Sequence, residues 1–246
     1  MKPLIAANWK MNKTVSETRA YFERFLPLVE GYDAADVLVC PPFTSLQAAR
    51  EMLEGSSVAL GAQNCHYEDA GAYTGEVSLP MLKELGVSFV IVGHSERRHL
   101  FNESDELINK KLLACLRHGV RPVLCVGEKK EEREAGLTFK VVETQLRLAL
   151  SGAEELLSRV EVAYEPVWAI GTGTPATPEQ AQEVHAFIKS LLKELNPNAE
   201  VRVLYGGSVK PSNAKAFLEQ PAVDGLLVGT ASLDPESFAQ IVKALE

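Results

Sequence analysis

The sequence predicts an α/β protein, a closed (β/α)8 barrel of eight parallel strands with surrounding helices. Three observations carry this expectation. Short runs rich in β-branched residues alternate with longer helical patterns from one end of the chain to the other. Several of the runs, such as Phe89-Val90-Ile91-Val92 and Val123-Leu124-Cys125-Val126, are apolar at every position, which suits parallel strands covered on both faces. The first run leads into Asn8-Trp9-Lys10-Met11-Asn12 rather than the Gly-x-Gly-x-x-Gly turn of an open, doubly wound sheet.

Taken in order, the candidate strands are Leu4–Trp9, Asp36–Cys40, Val58–Gln63, Ser88–Gly93, Pro122–Val126, Glu161–Tyr164, Val201–Tyr205 and Gly225–Val228. They begin about 20 to 40 residues apart, room for a right-handed helical crossover each time. Thr14-Val15-Ser16-Glu17 opens the first helical segment as a capping box, the Thr hydroxyl and the Glu carboxylate each satisfying an orphan backbone N–H. Thr177-Pro178-Glu179-Gln180 is a second box, with Pro178 at the first helical position, where a missing N–H costs nothing. After Asp234-Pro235, the residues Phe238, Ile241, Val242 and Leu245 form an apolar stripe that predicts a packed final helix. No Ser-, Gly- or Pro-rich linker interrupts the pattern, so residues 1–246 read as one barrel domain.

Composition narrows the functional classes. With 46% hydrophobic and 24% charged residues in 246, the chain has the make-up of a globular protein with a substantial core. Its 25 Lys and Arg stand against 33 Asp and Glu, a formal charge of −8, which argues against nucleic acid or an anionic membrane as partner. An anionic ligand must then be held by a local field. No apolar stretch approaches the roughly 20 residues of a membrane-spanning helix, and the apolar run before Asn8 is too short for a signal peptide. A cytoplasmic location is the expectation. Cys40, Cys65, Cys115 and Cys125 include no C-x-x-C pair, and the five histidines no metal-ligand spacing, so buried reduced thiols and no metal site are expected.

In a (β/α)8 barrel the active site lies at the C-terminal ends of the strands, so polar residues just after each apolar run are the candidates. Asn8 and Lys10 follow the first run at i and i+2, on one face. His94 follows Gly93 and opens Ser95-Glu96-Arg97-Arg98; at a helix N-terminus the positive dipole end disfavours the imidazolium, and a neutral ring still donates a hydrogen bond. The sixth run ends in Glu165, held extended by Pro166. Pro166-Val167-Trp168-Ala169-Ile170-Gly171-Thr172-Gly173-Thr174-Pro175-Ala176 is a long apolar loop that reads as a lid closing over a ligand. Tyr205-Gly206-Gly207-Ser208 and Val228-Gly229-Thr230 end the last two strands, where glycines and successive N–H groups form an anion cradle. Each feature has a plainer reading: a surface lysine, a structural histidine, a helix-capping glutamate, glycines that only turn the chain.

Together these segments resemble the triosephosphate isomerase family over essentially the whole chain. Asn8-Trp9-Lys10, Gly93-His94-Ser95-Glu96-Arg97, Ala163 to Gly173, Tyr205-Gly206-Gly207-Ser208 and Asp224-Gly225-Leu226-Leu227-Val228-Gly229 match its motifs in its order. The resemblance implies a TIM barrel that interconverts dihydroxyacetone phosphate and glyceraldehyde 3-phosphate in glycolysis and gluconeogenesis, without a cofactor. Carried over residue by residue, Glu165 would be the base that moves a carbon-bound proton. His94 would polarise the carbonyl, Lys10 would supply fixed positive charge beside the enediolate and the phosphate, and Asn8 a hydrogen bond to substrate oxygen. Ser95 and Glu96 would support them, Glu96 by pairing with Lys10. The backbone N–H groups of Gly171, Ser208, Gly229 and Thr230 would grip the phosphate. The loop Asn64–Val77 would dock into a second subunit through Thr74, giving a homodimer.

Two departures from the family pattern stand out. Thr174 and Pro175 occupy positions where Lys and a non-proline are common, and proline fixes φ and removes an N–H at the lid's hinge. Thr230 stands where glycine is frequent, bringing a Cβ near the phosphate. On the residues alone two other readings stay open: a barrel lyase using Lys10 as a Schiff-base nucleophile, and a non-catalytic phosphate-ligand binder on the same scaffold.

Overall fold

The computed structural model describes residues 1–172 and 174–246; Gly173 of the expected lid lies outside the described residues. The strands are β1 (Leu4–Asn8), β2 (Asp36–Cys40), β3 (Ala59–Ala62), β4 (Phe89–Val92), β5 (Arg121–Val126), β6 (Glu161–Tyr164), β7 (Val203–Tyr205) and β8 (Gly225–Val228). Every neighbouring pair is parallel, and β1 pairs with β8 as well as β2, closing the barrel. The helices among the described residues are α1 (Val15–Val29), α2 (Leu46–Leu53), α3 (Leu79–Glu84), α4 (Ser95–Leu100), α5 (Asp105–Arg117), α6 (Lys130–Glu134), α7 (Thr138–Ala149), α8 (Pro178–Leu195), α9 (Ala214–Leu218) and α10 (Pro235–Val242).

The expected punctuation holds locally. Thr14 caps α1 and Thr177 caps α8, each in a reciprocal capping box, and Pro178 sits in the first turn of α8. The last helix stops at Val242, so Leu245 falls beyond the stripe and is exposed while Phe238 and Ile241 are buried. The first strand ends at Asn8 rather than Trp9, whose ring leaves the barrel to pack against Tyr21 and Phe22 of α1.

Alternation along the strands sorts side chains into two cores. Leu4, Ala6, Leu38, Cys40, Phe89, Ile91, Val123, Cys125, Ala163, Leu204 and Leu227 fill the barrel interior. Their neighbours, among them Ile5, Ala7, Val90, Val92, Leu124, Val162 and Val203, pack outward with the helices. The same alternation extended by two residues brings Asn8, Gly127, Glu165, Gly206 and Gly229 to the C-terminal mouth. Extended the other way it delivers Glu161, wholly buried, to the opposite end. There Glu161 meets Arg121 at 2.8 Å and Arg202 at 2.8 Å, and Arg202 also reaches Asp36 at 2.7 Å. This charged plug closes the bottom of the barrel.

Candidate active site

Lys10 adopts φ +55°, a conformation that L residues with a Cβ rarely hold and that costs on the order of 1–3 kcal/mol unless surroundings impose it. Two side chains impose it. The Asn8 Oδ1 accepts from the Lys10 N–H at 3.0 Å, and Gln63 donates to the Lys10 carbonyl at 2.9 Å and to that of Cys40 at 3.0 Å. The Lys10 ammonium is thereby set at 2.6 Å from Glu96, the first-turn carboxylate of α4.

His94 is the N-cap of α4, and its Nδ1 accepts the Glu96 N–H at 3.1 Å. A nitrogen that accepts carries no proton, so in the neutral ring the proton lies on Nε2. That Nε2 lies 2.8 Å from Glu165 Oε2. The other Glu165 oxygen accepts the Ser95 N–H at 3.0 Å, and the Ser95 hydroxyl reaches Oε2 at 3.3 Å. Burial disfavours both charged forms here, but the pairing outweighs it. Glu165 is held below the usual carboxylate range by His94 and the Ser95 N–H, and its carboxylate lifts the His94 pKa above the ordinary value. The dipole of α4 alone predicts the opposite direction for the ring; an adjacent carboxylate is the stronger field, and the Nδ1 bond is what opposes a second ring proton.

These residues line a pocket of about 270 Å³ at the mouth of the barrel. Asn8, Lys10, His94 and Glu165 form one part of its wall, and Ile170, Gly171, Gly206, Gly207, Ser208, Gly229 and Thr230 another. A Cβ at Gly206 would come 3.0 Å from the Glu165 Cγ, so the glycine leaves the carboxylate's stem its room. Thr230 is exposed at the rim. The Ser208 N–H, expected to face an anion, instead donates to the Ala169 carbonyl at 3.1 Å, and its hydroxyl donates to the same oxygen at 2.6 Å.

The expected lid is pinned at both ends. Pro166 and Ala169 are buried, and Val167 N donates to the Glu128 carbonyl at 3.1 Å. The Trp168 indole N–H donates to Glu128 Oε1 at 2.9 Å beneath the Arg133 guanidinium, so this ring is already half-buried and partnered. Glu128, wholly buried, also accepts from the Tyr164 hydroxyl at 2.8 Å and pairs with Arg133 at 3.2 Å. At the far end the Ala176 N–H donates to the Tyr205 hydroxyl at 3.2 Å. Between them Gly171, Thr172 and Thr174 are exposed, Thr172 and Thr174 bonded to each other at 3.3 Å, and Pro175 is half-buried.

Of the residues singled out from sequence, Thr74 lies elsewhere, exposed in the Asn64–Val77 loop. Gln63, Glu128 and Tyr205 were not singled out, though each fixes a backbone segment of the site. Tyr205 alone of the three lies within a strand-end motif, Tyr205-Gly206-Gly207-Ser208, and none carries a spacing that separates it from ordinary polar residues at strand ends. Cys40, Cys65, Cys115 and Cys125 are buried free thiols. Among the described residues no cluster of three His, Cys, Asp or Glu is placed to hold a metal ion, and no helix is long and apolar enough to cross a membrane.

Comparisons with known proteins point to one family. The family model for triosephosphate isomerase matches residues 3–245. The triosephosphate isomerase of Aquifex aeolicus is 66% identical over 244 residues, covering 98% of this chain and 99% of its own. Those of Solibacter usitatus and Carboxydothermus hydrogenoformans are 51% and 52% identical, each over 98% of both chains. The barrel, the mouth that gathers Asn8, Lys10, His94 and Glu165, and these matches along the length of the chain lead to one conclusion: it belongs to the triosephosphate isomerase family, aldose–ketose isomerases that interconvert dihydroxyacetone phosphate and D-glyceraldehyde 3-phosphate.

Proposed function

We propose that Glu165, His94, Lys10 and Asn8 carry the isomerisation of triose phosphates in this chain, and that Gly171, Ser208, Gly229 and Thr230 hold the phosphate. The observation that carries this reading is their convergence on one pocket. Glu165 is the base: it takes the carbon-bound proton beside the carbonyl and returns it to the neighbouring carbon. In the resting arrangement both its oxygens are engaged by Ser95 and His94. Turning toward substrate therefore removes the carboxylate from the His94 Nε2–H, which is then free to donate to the carbonyl oxygen as negative charge develops. His94 passes protons between the two substrate oxygens. The Lys10 ammonium, fixed by Glu96 and its constrained backbone, stabilises the enediolate, and Asn8 hydrogen-bonds substrate oxygen. Exclusion of water by the Pro166–Ala176 segment keeps the enediolate from losing its phosphate.

The Lys10–Glu96 ion pair at 2.6 Å speaks against an amine poised for Schiff-base chemistry, and the intact Glu165 and His94 speak against a mere binder. We further propose one domain acting as a cytoplasmic homodimer, with the Asn64–Val77 loop in the contact. Exposed apolar side chains beside these elements support it: Met11 follows Lys10 and is 94% exposed, and Tyr73 precedes Thr74 and is 42% exposed. The chemistry is tested by converting glyceraldehyde 3-phosphate in deuterated water under proton NMR, with wild type and Glu165→Gln. Solvent deuterium on product carbon, nearly abolished in the variant, is the expected result. Near-full turnover by pure Glu165→Gln would remove Glu165 as base.

A further inference from the structure

The peptide of Gly127, one residue past the end of β5, is clamped by a side chain from the helical layer. Its N–H donates to Gln145 Oε1 at 2.8 Å, and the Gln145 amide donates back to its carbonyl at 3.4 Å. Gln145 lies in α7 and is buried. A carboxamide presents a donor and an acceptor side by side, as a neighbouring strand does, so it serves as the strand partner that the β5 ladder lacks at this point.

What Gly127 touches gives the clamp its meaning. A Cβ built on Gly127 would overlap the carbonyl oxygen of Glu165, so the two main chains are in direct contact and only glycine fits. On either side of it, the Val126 carbonyl accepts the Glu165 N–H at 2.7 Å and the Glu128 carbonyl accepts the Val167 N–H at 3.1 Å. Glu165 and the start of the lid therefore rest on the Val126–Glu128 segment. A residue with no side chain cannot anchor itself, and Gln145 supplies the anchor from outside the barrel.

We infer that Gln145 is a positioning residue for the isomerisation: it fixes the height of the Glu165 main chain at the mouth, and so the reach of the carboxylate to substrate carbon. The inference rests on the proposed role of Glu165 as base. Gln145 does not line the pocket, and three of the four residues proposed to hold the phosphate, Ser208, Gly229 and Thr230, follow other strands, so its loss acts mainly on the chemical step and little on binding.

The test compares wild type with Gln145→Met, of similar volume but without the amide, and Gln145→Glu, which keeps the acceptor for the Gly127 N–H. Misplacement of a catalytic group by a remote change lowers rate by up to about 100-fold, so kcat of Gln145→Met is expected to fall between about 10-fold and about 100-fold. KM, and inhibition by inorganic phosphate, stay within about twofold, and Gln145→Glu recovers part of kcat. A merely structural side chain would lower Tm and leave kcat per folded molecule unchanged. A kcat for Gln145→Met within about twofold of wild type overturns the inference, and if that variant does not fold, the same result for Gln145→Leu, which also lacks both amide groups, does so. Active wild type with an unimpaired variant refutes this role alone; wild type without isomerase activity refutes the proposed function, and this role with it.

Discussion

Glu161 and Glu165 point the same way from one strand, four residues apart, and substituting each should give opposite phenotypes. Glu161 is wholly buried; its Oε1 accepts from Arg121 at 2.8 Å and 3.1 Å and from Arg202 at 2.8 Å, and its Oε2 from Arg202 at 3.0 Å. Removing the carboxylate leaves Arg202, mostly buried, with only the half-exposed Asp36 as a charge partner. Breaking a buried pair from one side costs about 3–5 kcal/mol, and at this chain length each kcal/mol lowers Tm by about 2–4 °C. Glu161→Ala should therefore melt about 6–20 °C lower, while kcat measured well below that temperature stays close to wild type, the plug lying at the far end from the pocket. Glu165→Gln should do the reverse, losing the roughly 10²–10⁴-fold attributed to general acid–base catalysis with a smaller change in Tm. Scanning calorimetry and a coupled isomerase assay on the same preparations decide it. A Glu161→Ala protein that keeps the wild-type Tm, or that loses activity as deeply as Glu165→Gln while folded, would refute the division of labour.

Three further outcomes follow from described contacts. His185 is fully buried, with Nδ1 facing the Ala222 carbonyl at 3.1 Å and Nε2 unpartnered, and burial lowers its pKa from 6.5 to about 3. The unfolded chain takes up this proton first as pH falls, so from pH 6.5 down to about 3 the residue costs up to about 1.4 kcal/mol of stability per pH unit; His185→Gln should flatten urea-unfolding curves over that window. Tyr205→Phe strands the Ala176 N–H at the end of the lid and should lower kcat by about 10-fold, one lost hydrogen bond being worth about 1 kcal/mol or more; an unchanged kcat in steady-state assays would detach this bond from lid function. Thr74→Glu should weaken the proposed dimer by burying an unpaired charge, read as a lower sedimentation coefficient at equal concentration. An unchanged dimer would exclude the loop from the contact.

The barrel was legible because its signal is redundant. Continuous apolar runs, their spacing and two capping boxes all specify parallel strands separated by helices, and boundary shifts such as Trp9 leaving β1 do not alter the topology. The site was legible where motif and strand end coincide, as at Asn8, Lys10, His94 and Glu165. It was hidden where the partner comes from a distant element. Gln63 and Gln145 bond main-chain atoms, and a side chain that holds a peptide needs no fixed sequence spacing from it. Glu161 and Glu165 have the same residue type and the same strand, and only the arginines from β5 and from the residue before β7 tell the plug from the base. Charge on His94 could not be read either, because the Glu165 carboxylate that lifts its pKa lies 71 residues on, a proximity created by the fold.

The Ala169 carbonyl receives both hydrogens of Ser208, and on the proposed reading the phosphate claims one of them. Ligand entry at this point is an exchange of acceptors, in which a doubly charged oxygen group displaces a neutral one. Hydrogen bonds to charged groups contribute about 1.5–3 kcal/mol and neutral ones about 0.5–1.5, so the swap favours the dianion by only about 1 kcal/mol. With the carbonyl as acceptor both Ser208 donors are satisfied, and an anion of weaker charge would gain less from the exchange. On that reading the carbonyl keeps its other Ser208 hydrogen bond, so arrival of a dianion would loosen the lid at Ala169 without freeing it, and ligand selection and loop movement would share one oxygen.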